Sequence, residues 1–275
     1  MSRSPTTTLR FTKMHGLGND FVVLEAPAAF HWPKADEWRA LADRHTGIGF
    51  DQALVIVPAS SGEATAGYRV FNADGGEVEQ CGNGARCVAE WLRLQGRVSG
   101  EALALDSIGG LIEARFGAGG EVSVNMGEPQ FQSGGESWLD IDGERVQFTA
   151  VSMGNPHIVL LVDEIARAPV TTLGAALERH AAFPNRTNVG FLQIDARERG
   201  QLRVFERGVG ETRACGTGAC AAMAVGRRAG RFDEQVTLEL PGGALQVDWR
   251  GAGHPLWLTG PVAVAYRGEL DWKRF

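Results

Sequence analysis

Two cysteines, Cys81 and Cys215, each open a Cys-Gly-x-Gly-Ala element, and each follows a phenylalanine by ten residues. The surrounding phrases are FNADGGEVEQCGNGA, from Phe71 to Ala85, and FERGVGETRACGTGA, from Phe205 to Ala219. Gly76 matches Gly210 and Glu77 matches Glu211. One thiol per copy of a duplicated phrase predicts two thiols facing one ligand from opposite sides. That arrangement can take a proton from one face of a carbon and return one to the other. Each cysteine sits directly before a segment with helical spacing. A helix N-terminus carries unpaired N–H groups and positive potential. There a thiol pKa of about 8.5 can fall to roughly 3.5–7.5, and the same N–H groups can hold a carboxylate as it gains enolate character. Cys87 and Cys220, further into the helical segments, read as buried structural thiols.

Other polar residues cluster around the same phrases. His157 lies in a Gly-Asn-Pro-His turn, where the other copy has the apolar Phe21. Glu206 and Arg207 stand where the first phrase has Asn72 and Ala73. An adjacent Glu/Arg pair is usually a solvated couple. In a glycine-rich loop feeding the second cysteine it is better suited to an amino group and a carboxylate.

The elements that must position these groups also come in pairs. Gly18–Leu24 (GNDFVVL) parallels Gly154–Leu160 (GNPHIVL), and Ile48-Gly49-Phe50 parallels Val189-Gly190-Phe191. From Asn19 to Cys81 is 62 residues and from Asn155 to Cys215 is 60. Two homologous halves follow, rather than a solenoid, whose repeats run about 20–50 residues. The crossover is expected at the turn-rich Gly127-Glu128-Pro129. Strands are expected in two runs within Thr8–Leu24 and at Ala53–Val57, Tyr68–Phe71, 101–126 as a hairpin pair, Val151–Val162, Gly190–Ile194, Leu202–Phe205 and 235–265. Helices are expected at Asp36–Asp43, Gly84–Leu94, Thr172–Ala182 and Gly218–Ala229. Residues 1–8 read as a frayed tail.

Composition narrows the function classes. A chain of 275 residues with 44% hydrophobic and 22% charged residues fits a globular protein of about two domains. The 37 glycines imply many tight turns and close backbone–ligand approaches. A net charge of −6 argues against a nucleic-acid partner. No apolar run has the length of a membrane span, and the N-terminus lacks a secretory h-region. Four cysteines without a CxxC pair suit neither a disulfide framework nor zinc, so reduced thiols in the cytoplasm are expected. The chain has three lysines, Lys13, Lys34 and Lys273, and none lies in a convincing setting for a Schiff base with pyridoxal phosphate, with Lys13, beside the His15–Asp20 turn, the one left open. There is no phosphate-binding P-loop, and Gly82-Asn83-Gly84 lacks the third glycine of a dinucleotide fingerprint. No cofactor and no metal is expected.

Taken together, His15–Phe21, Gly49–Gln52, Phe71–Gly75, Cys81–Cys87, Gly154–His157, Arg186–Val189 and Glu206–Cys220 resemble the diaminopimelate epimerase family over nearly the whole chain from Leu9. The resemblance implies an α+β fold of two pseudo-symmetric halves, each a curved, barrel-like sheet around a central helix, with the ligand in the cleft between them. The halves would be residues 1–126 plus 262–275, and residues 127–261. The implied activity is cofactor-independent interconversion of LL- and meso-diaminopimelate, in lysine and peptidoglycan precursor biosynthesis. Catalytic roles carry to Cys81 and Cys215, one thiolate and one thiol, with support from His157 and Glu206. Substrate contacts carry to Asn19, Gln52, Asn72, Gly82, Asn83, Asn155, Asn188, Glu206, Arg207, Gly216 and Thr217. A homodimer is implied, with Tyr266 at its interface.

Other readings share parts of this pattern. A proline-racemase-like enzyme would also use paired cysteines, but its small cyclic substrate has no distal amino-acid end of the kind that Asn72, Asn188 and Arg207 could hold in diaminopimelate. An isomerase of the phenazine-pathway type would not need both thiols. A non-catalytic amino-acid-binding protein could keep the cleft, and proton exchange at the substrate α-carbon would separate it from an enzyme. A thiol-redox role has no CxxC to support it.

Overall fold

The computed structural model describes residues 8–26, 30, 32–78 and 81–271, without the side chains of 132–136. The expected tail at 1–7 and the last four residues, 272–275, lie outside the described residues, whereas Thr8 already opens the first strand. The fold is mixed α+β, mostly strand with few helices. It divides into two compact units, one of residues up to 124 with those from 261 onward, the other 125–260. The expected boundaries stood at 126/127 and 261/262.

The first unit runs β1 (Thr8–Gly16), β2 (Asn19–Glu25), α1 (Ala35–Ala42), β3 (Gln52–Val57), β4 (Ala66–Asn72), β5 (Glu77–Val78), α2 (Gly82–Leu94), β6 (Ala102–Ser107), β7 (Gly110–Phe116) and β8 (Glu121–Asn125). The second runs β9 (Gln130–Ile141), β10 (Glu144–Ser152), β11 (Pro156–Leu161), α3 (Leu173–Glu178), β12 (Asn188–Ala196), β13 (Arg199–Glu206), β14 (Gly210–Glu211), α4 (Gly216–Arg228), β15 (Gln235–Leu240), β16 (Gly243–Asp248) and β17 (Trp257–Pro261). β18 (Ala263–Asp271) returns to the first unit and lies antiparallel to β1.

Strand pairing repeats in the same order in each unit. In the first, β1–β2 is antiparallel, β2–β3 parallel, β3–β4 antiparallel, β4–β6 parallel and β6–β7 antiparallel. In the second, β10–β11 is antiparallel, β11–β12 parallel, β12–β13 antiparallel, β13–β15 parallel and β15–β16 antiparallel. β18 covers β1 as β9 covers β10. A parallel neighbour needs a crossover. α1 and α3 supply those between β2 and β3 and between β11 and β12. α2 and α4 supply those that lead to β6 and β15.

The two long helices are central to their units. α2 meets β1, β2, β3, β6 and β7, and α4 meets β10, β11, β12, β13 and β16. Every α2 residue from Gly82 to Leu92 is buried, as is α4 from Gly218 to Gly226. A helix buried all round can carry few large polar faces, which explains the run Ala219-Cys220-Ala221-Ala222-Met223-Ala224-Val225. The shorter helices pack on second cores. Trp38 and Leu41 of α1 join Val22, Leu24, Phe50 and Phe71, and Leu177 of α3 joins Ile158, Leu160, Val189 and Phe191. Each such buried side chain contributes about 1.5–3 kcal/mol.

Several elements differ from the sequence-based expectation. The run Val151–Val162 is two strands, split by a turn at Met153–Asn155 with Gly154 at φ +88°. α3 is shorter than Thr172–Ala182, because its last turn tightens: His180 N–H reaches Leu177 O instead of continuing the helix. α2 and α4 each begin two residues earlier than expected, directly after Cys81 and Cys215, because the sulfur itself caps the first turn. β9 and the two-residue strands β5 and β14 were not expected at all.

Candidate active site

In the first unit, the parallel register places Phe21 beside Gln52, and β3–β4 places Gln52 beside Asn72. Asn19, Gln52 and Asn72 therefore stand at one end of three adjacent strands. α2 starts at that end. Cys81 is its N-cap, extended at φ −140°, and its Sγ accepts the Gly84 N–H at 3.4 Å. A Cβ on Gly84 would lie 2.9 Å from Leu54 Cδ2, so glycine lets the helix seat close to β3 without displacing that side chain.

A hydrogen-bonded chain fixes the amides. The Arg86 guanidinium donates to Asn83 Oδ1 (2.9 Å), Asn83 Nδ2 to Asn19 Oδ1 (3.1 Å), and Asn19 Nδ2 to Asp51 Oδ2 (3.0 Å). Gln52 Nε2 donates to Asn72 Oδ1 at 2.8 Å. Asp51 and Asp20 share the Arg44 guanidinium, and the buried Lys13 ammonium reaches Asp20 and the Gly49 carbonyl. Burial pushes the Asp20 carboxyl up, but its hydrogen bonds from Arg44 and Lys13 outweigh that and hold it well below the usual range.

The second unit repeats the plan with different side chains. The β11–β12 register sets His157 beside Asn188, and β12–β13 sets Val189 beside Phe205, which places Glu206 at the end of β13. Cys215 is the N-cap of α4, and its Sγ accepts the Gly218 N–H at 3.4 Å. Thr217 Oγ1 lies 3.6 Å from that sulfur and accepts Asn155 Nδ2 at 3.4 Å. His157 Nε2 lies 3.0 Å from Asn155 Oδ1. An amide oxygen only accepts, so Nε2 carries the proton. Asn188 accepts the Arg207 backbone N–H on Oδ1 (2.9 Å) and donates to the Pro156 carbonyl (3.0 Å). Thr212 Oγ1 donates to Glu206 Oε1 at 2.5 Å.

Electrostatics divide the roles. His157 is 2% exposed, and burial, helped by the Arg207 charge, lowers its pKa to about 3, so it is neutral at pH 7. Cys215 is 4% exposed. Burial pushes its thiol well above the ordinary value, and the neighbouring Glu206 carboxylate adds to this. Hydrogen bonds from Thr217 and the Gly218 N–H pull the other way without prevailing. At Cys215 burial thus works against the lowering that a helix end favours. Burial also drives Cys87 upward, in keeping with a structural thiol.

Within the first unit, the structure brings Cys81, Gly82 and Asn83 together with Asn19, and Gln52 with Asn72. Within the second it joins Cys215, Gly216 and Thr217 to Asn155, His157 and Glu206, and Asn188 to Arg207. Tyr266 is elsewhere, on β18, 46% exposed, with its hydroxyl donating to the Ile48 carbonyl at 3.3 Å. Asp51, Arg44 and Arg86, which orient the amides, were not singled out from sequence. Among the described residues, no group of three or more His, Cys, Asp or Glu could hold a metal ion, and no helix is long and apolar enough to cross a membrane.

Comparison with known proteins meets the same pattern. The family model described as diaminopimelate epimerase matches residues 11–132 and 149–265. Proteins named diaminopimelate epimerase from Pseudomonas syringae pv. tomato and from Ectopseudomonas mendocina are each 48% identical over 275 residues, covering 95% of this chain and 99% of theirs. Among solved structures, a hydroxyproline epimerase from Agrobacterium vitis superposes with a TM-score of 0.74 at 17% identity, covering 98% of this chain and 94% of its own. At that identity the likeness speaks for the fold alone.

Proposed function

The chain belongs to the diaminopimelate epimerase family, and from that premise we propose that it interconverts LL- and meso-diaminopimelate with Cys81 and Cys215 as the two bases. The observation that carries this reading is the repeated cap: in each unit a cysteine sulfur accepts the third N–H of a buried central helix, at 3.4 Å in both. One sulfur, as thiolate, takes the α-hydrogen as a proton. The electron pair left on the carbon delocalises into the carboxylate, which is held by N–H groups of the helix ends. The other sulfur, as thiol, gives its proton to the opposite face and becomes the thiolate. The reverse reaction exchanges the roles, and no atom is lost or gained beyond the exchanged proton. No cofactor is required.

Glu206 and neutral His157 orient the reacting end. Asn19, Asn83, Asn155 and Thr217, with Gly82 and Gly216, line it, while Gln52, Asn72, Asn188 and Arg207 grip the distal amino-acid end. A substrate with two amino-acid ends suits this inventory, since one end can be held while the other reacts. The product belongs to lysine and cell-wall precursor synthesis in the cytoplasm. The exposed Tyr266 and Val264 on β18 support a homodimer, which sedimentation of the purified protein checks.

The direct test incubates the protein with LL-diaminopimelate in deuterated water and follows stereochemistry and α-deuterium together. Formation of the meso isomer with deuterium at the inverted centre is expected. Deuterium-free inversion, or no inversion at all, would overturn the reading.

A further inference from the structure

We propose that Glu178 of α3 is a positioning residue for substrate grip: with Gly174 it forms the cradle that holds the Glu206–Arg207 loop in place. Glu178 is 1% exposed, an expensive place for a carboxylate. Its Oε1 accepts the Gly208 backbone N–H at 3.0 Å, and its Oε2 accepts from Arg186 (2.8 Å) and Arg179 (3.3 Å). Two arginines thus balance the charge, and one carboxylate oxygen is left for the loop. Gly174 lies four residues earlier, on the same face of the helix. A Cβ there would stand 2.8 Å from Phe205 Cβ, so α3 sits directly on the residue that precedes Glu206. One helix face therefore touches both neighbours of the Glu206-Arg207 pair, Phe205 before it and Gly208 after it.

The remaining main-chain bonds complete the hold. Asn188 takes the Arg207 N–H, and Val209 N–H closes the turn onto the Glu206 carbonyl. The loop is exposed at Arg207 and Gly208, yet its backbone is tied to a buried charge. The first unit has a counterpart of different chemistry: Arg39 of α1 donates to the Asp74 carbonyl at 3.0 Å, in the loop between β4 and β5. In both units the helix of the first crossover holds the loop that leads to the cysteine.

This assignment rests on Glu206 and Arg207 acting on the substrate. Glu178→Asp keeps the charge but is too short to reach Gly208, and Glu178→Ala removes both. Each is expected to lower kcat/KM for diaminopimelate about tenfold, mainly through KM, yet to cost less than about threefold in an Arg207→Lys background. Glu178→Gln keeps an oxygen for the Gly208 N–H but sets an amide NH2 against the Arg186 and Arg179 donors, so it is expected to lower thermal stability while raising KM less than Glu178→Asp does. Equal losses in both backgrounds, or a loss of thermal stability with unchanged KM in the Asp and Ala variants, would overturn the proposal. If the Ala variant does not fold, the Asp variant is read alone. Amide hydrogen exchange at Gly208–Gly210 gives a second readout that needs no substrate. Faster exchange in Glu178→Asp is expected, and unchanged exchange refutes the cradle. Should the parent protein itself fail to epimerise, the functional reading falls while the exchange result still decides the cradle.

Discussion

His157 stands beside Asn188 in the parallel register of β11 and β12, as Phe21 stands beside Gln52 in β2 and β3. The duplicated frame has thus been filled differently at equivalent places. The first unit uses an apolar ring and a pair of amides, Gln52 and Asn72. The second uses a buried imidazole, an amide and the charged pair Glu206-Arg207. The cysteine caps stay alike while their surroundings diverge.

The buried imidazole has a pH signature. His157 titrates at about 3 in the folded chain and near 6.5 when unfolded. The unfolded state therefore binds the proton first as pH falls, so the stability contributed by neutral His157 is present above 6.5 and is lost between about 6.5 and 3. His157→Phe, which copies the other unit's residue, should remove this part of the acid dependence. Urea unfolding at pH 7, 5 and 4 should show the parent losing a few kcal/mol more than the variant. Parallel pH curves would mean that the imidazole is not buried as neutral base.

Arg207→Lys tests the distal grip. Lysine cannot reproduce the planar, two-pronged contact of guanidinium with carboxylate. A loss of about 1–3 kcal/mol in transition-state binding is expected from kcat/KM, the scale of a charge-assisted hydrogen bond. Unchanged kinetics would remove Arg207 from the site.

The two-base mechanism makes the cysteine variants distinguishable. Cys81→Ala and Cys215→Ala should each abolish epimerisation. Serine keeps the shape and can donate a proton, but is hardly ionised near neutrality and is a far weaker base. Each serine variant should fail at full epimerisation yet still expel a leaving group from a substrate analogue when the remaining thiolate faces the α-hydrogen. The two variants should then prefer opposite stereoisomers. A shared preference would show that the thiols do not act on opposite faces.

What was legible in the sequence follows from distance along the chain. The caps at Cys81 and Cys215 were legible because sulfur, glycines and helix all fall within one short phrase, and that phrase occurs twice. The Asp20–Asp51–Arg44 network was not, since it exists only because β2 and β3 run side by side. Glu178 beside Arg179 reads as an ordinary surface pair. Nothing local says that the helix under it is pressed onto Phe205. The burial of Cys215 was hidden for a related reason: the helix end is a local feature, whereas the burial that pushes this thiol upward is a property of the folded unit. β9 escaped because Ser133-Gly134-Gly135 interrupts any strand-like alternation.

Gly218 provides the last test, because it couples packing to chemistry at one atom. Its N–H caps Cys215 Sγ, and a Cβ at this position would lie 2.9 Å from Val204 Cγ2 and 3.2 Å from Cys215 Sγ. Gly218→Ala should therefore push α4 off β13 and cost about 1–3 kcal/mol of stability, the usual scale of overpacking. Val204→Ala alone should also destabilise, by opening a cavity. Together they should interact favourably, since the new methyl occupies space that Val204 gives up. Thermal unfolding of the two single variants and the double variant checks this. Recovery of activity should lag behind recovery of stability, because the Val204 change does nothing for the 3.2 Å approach to the sulfur. Additive destabilisation would mean that the helix does not seat against Val204. Full activity in Gly218→Ala would mean that the cap geometry of Cys215 is not needed for turnover.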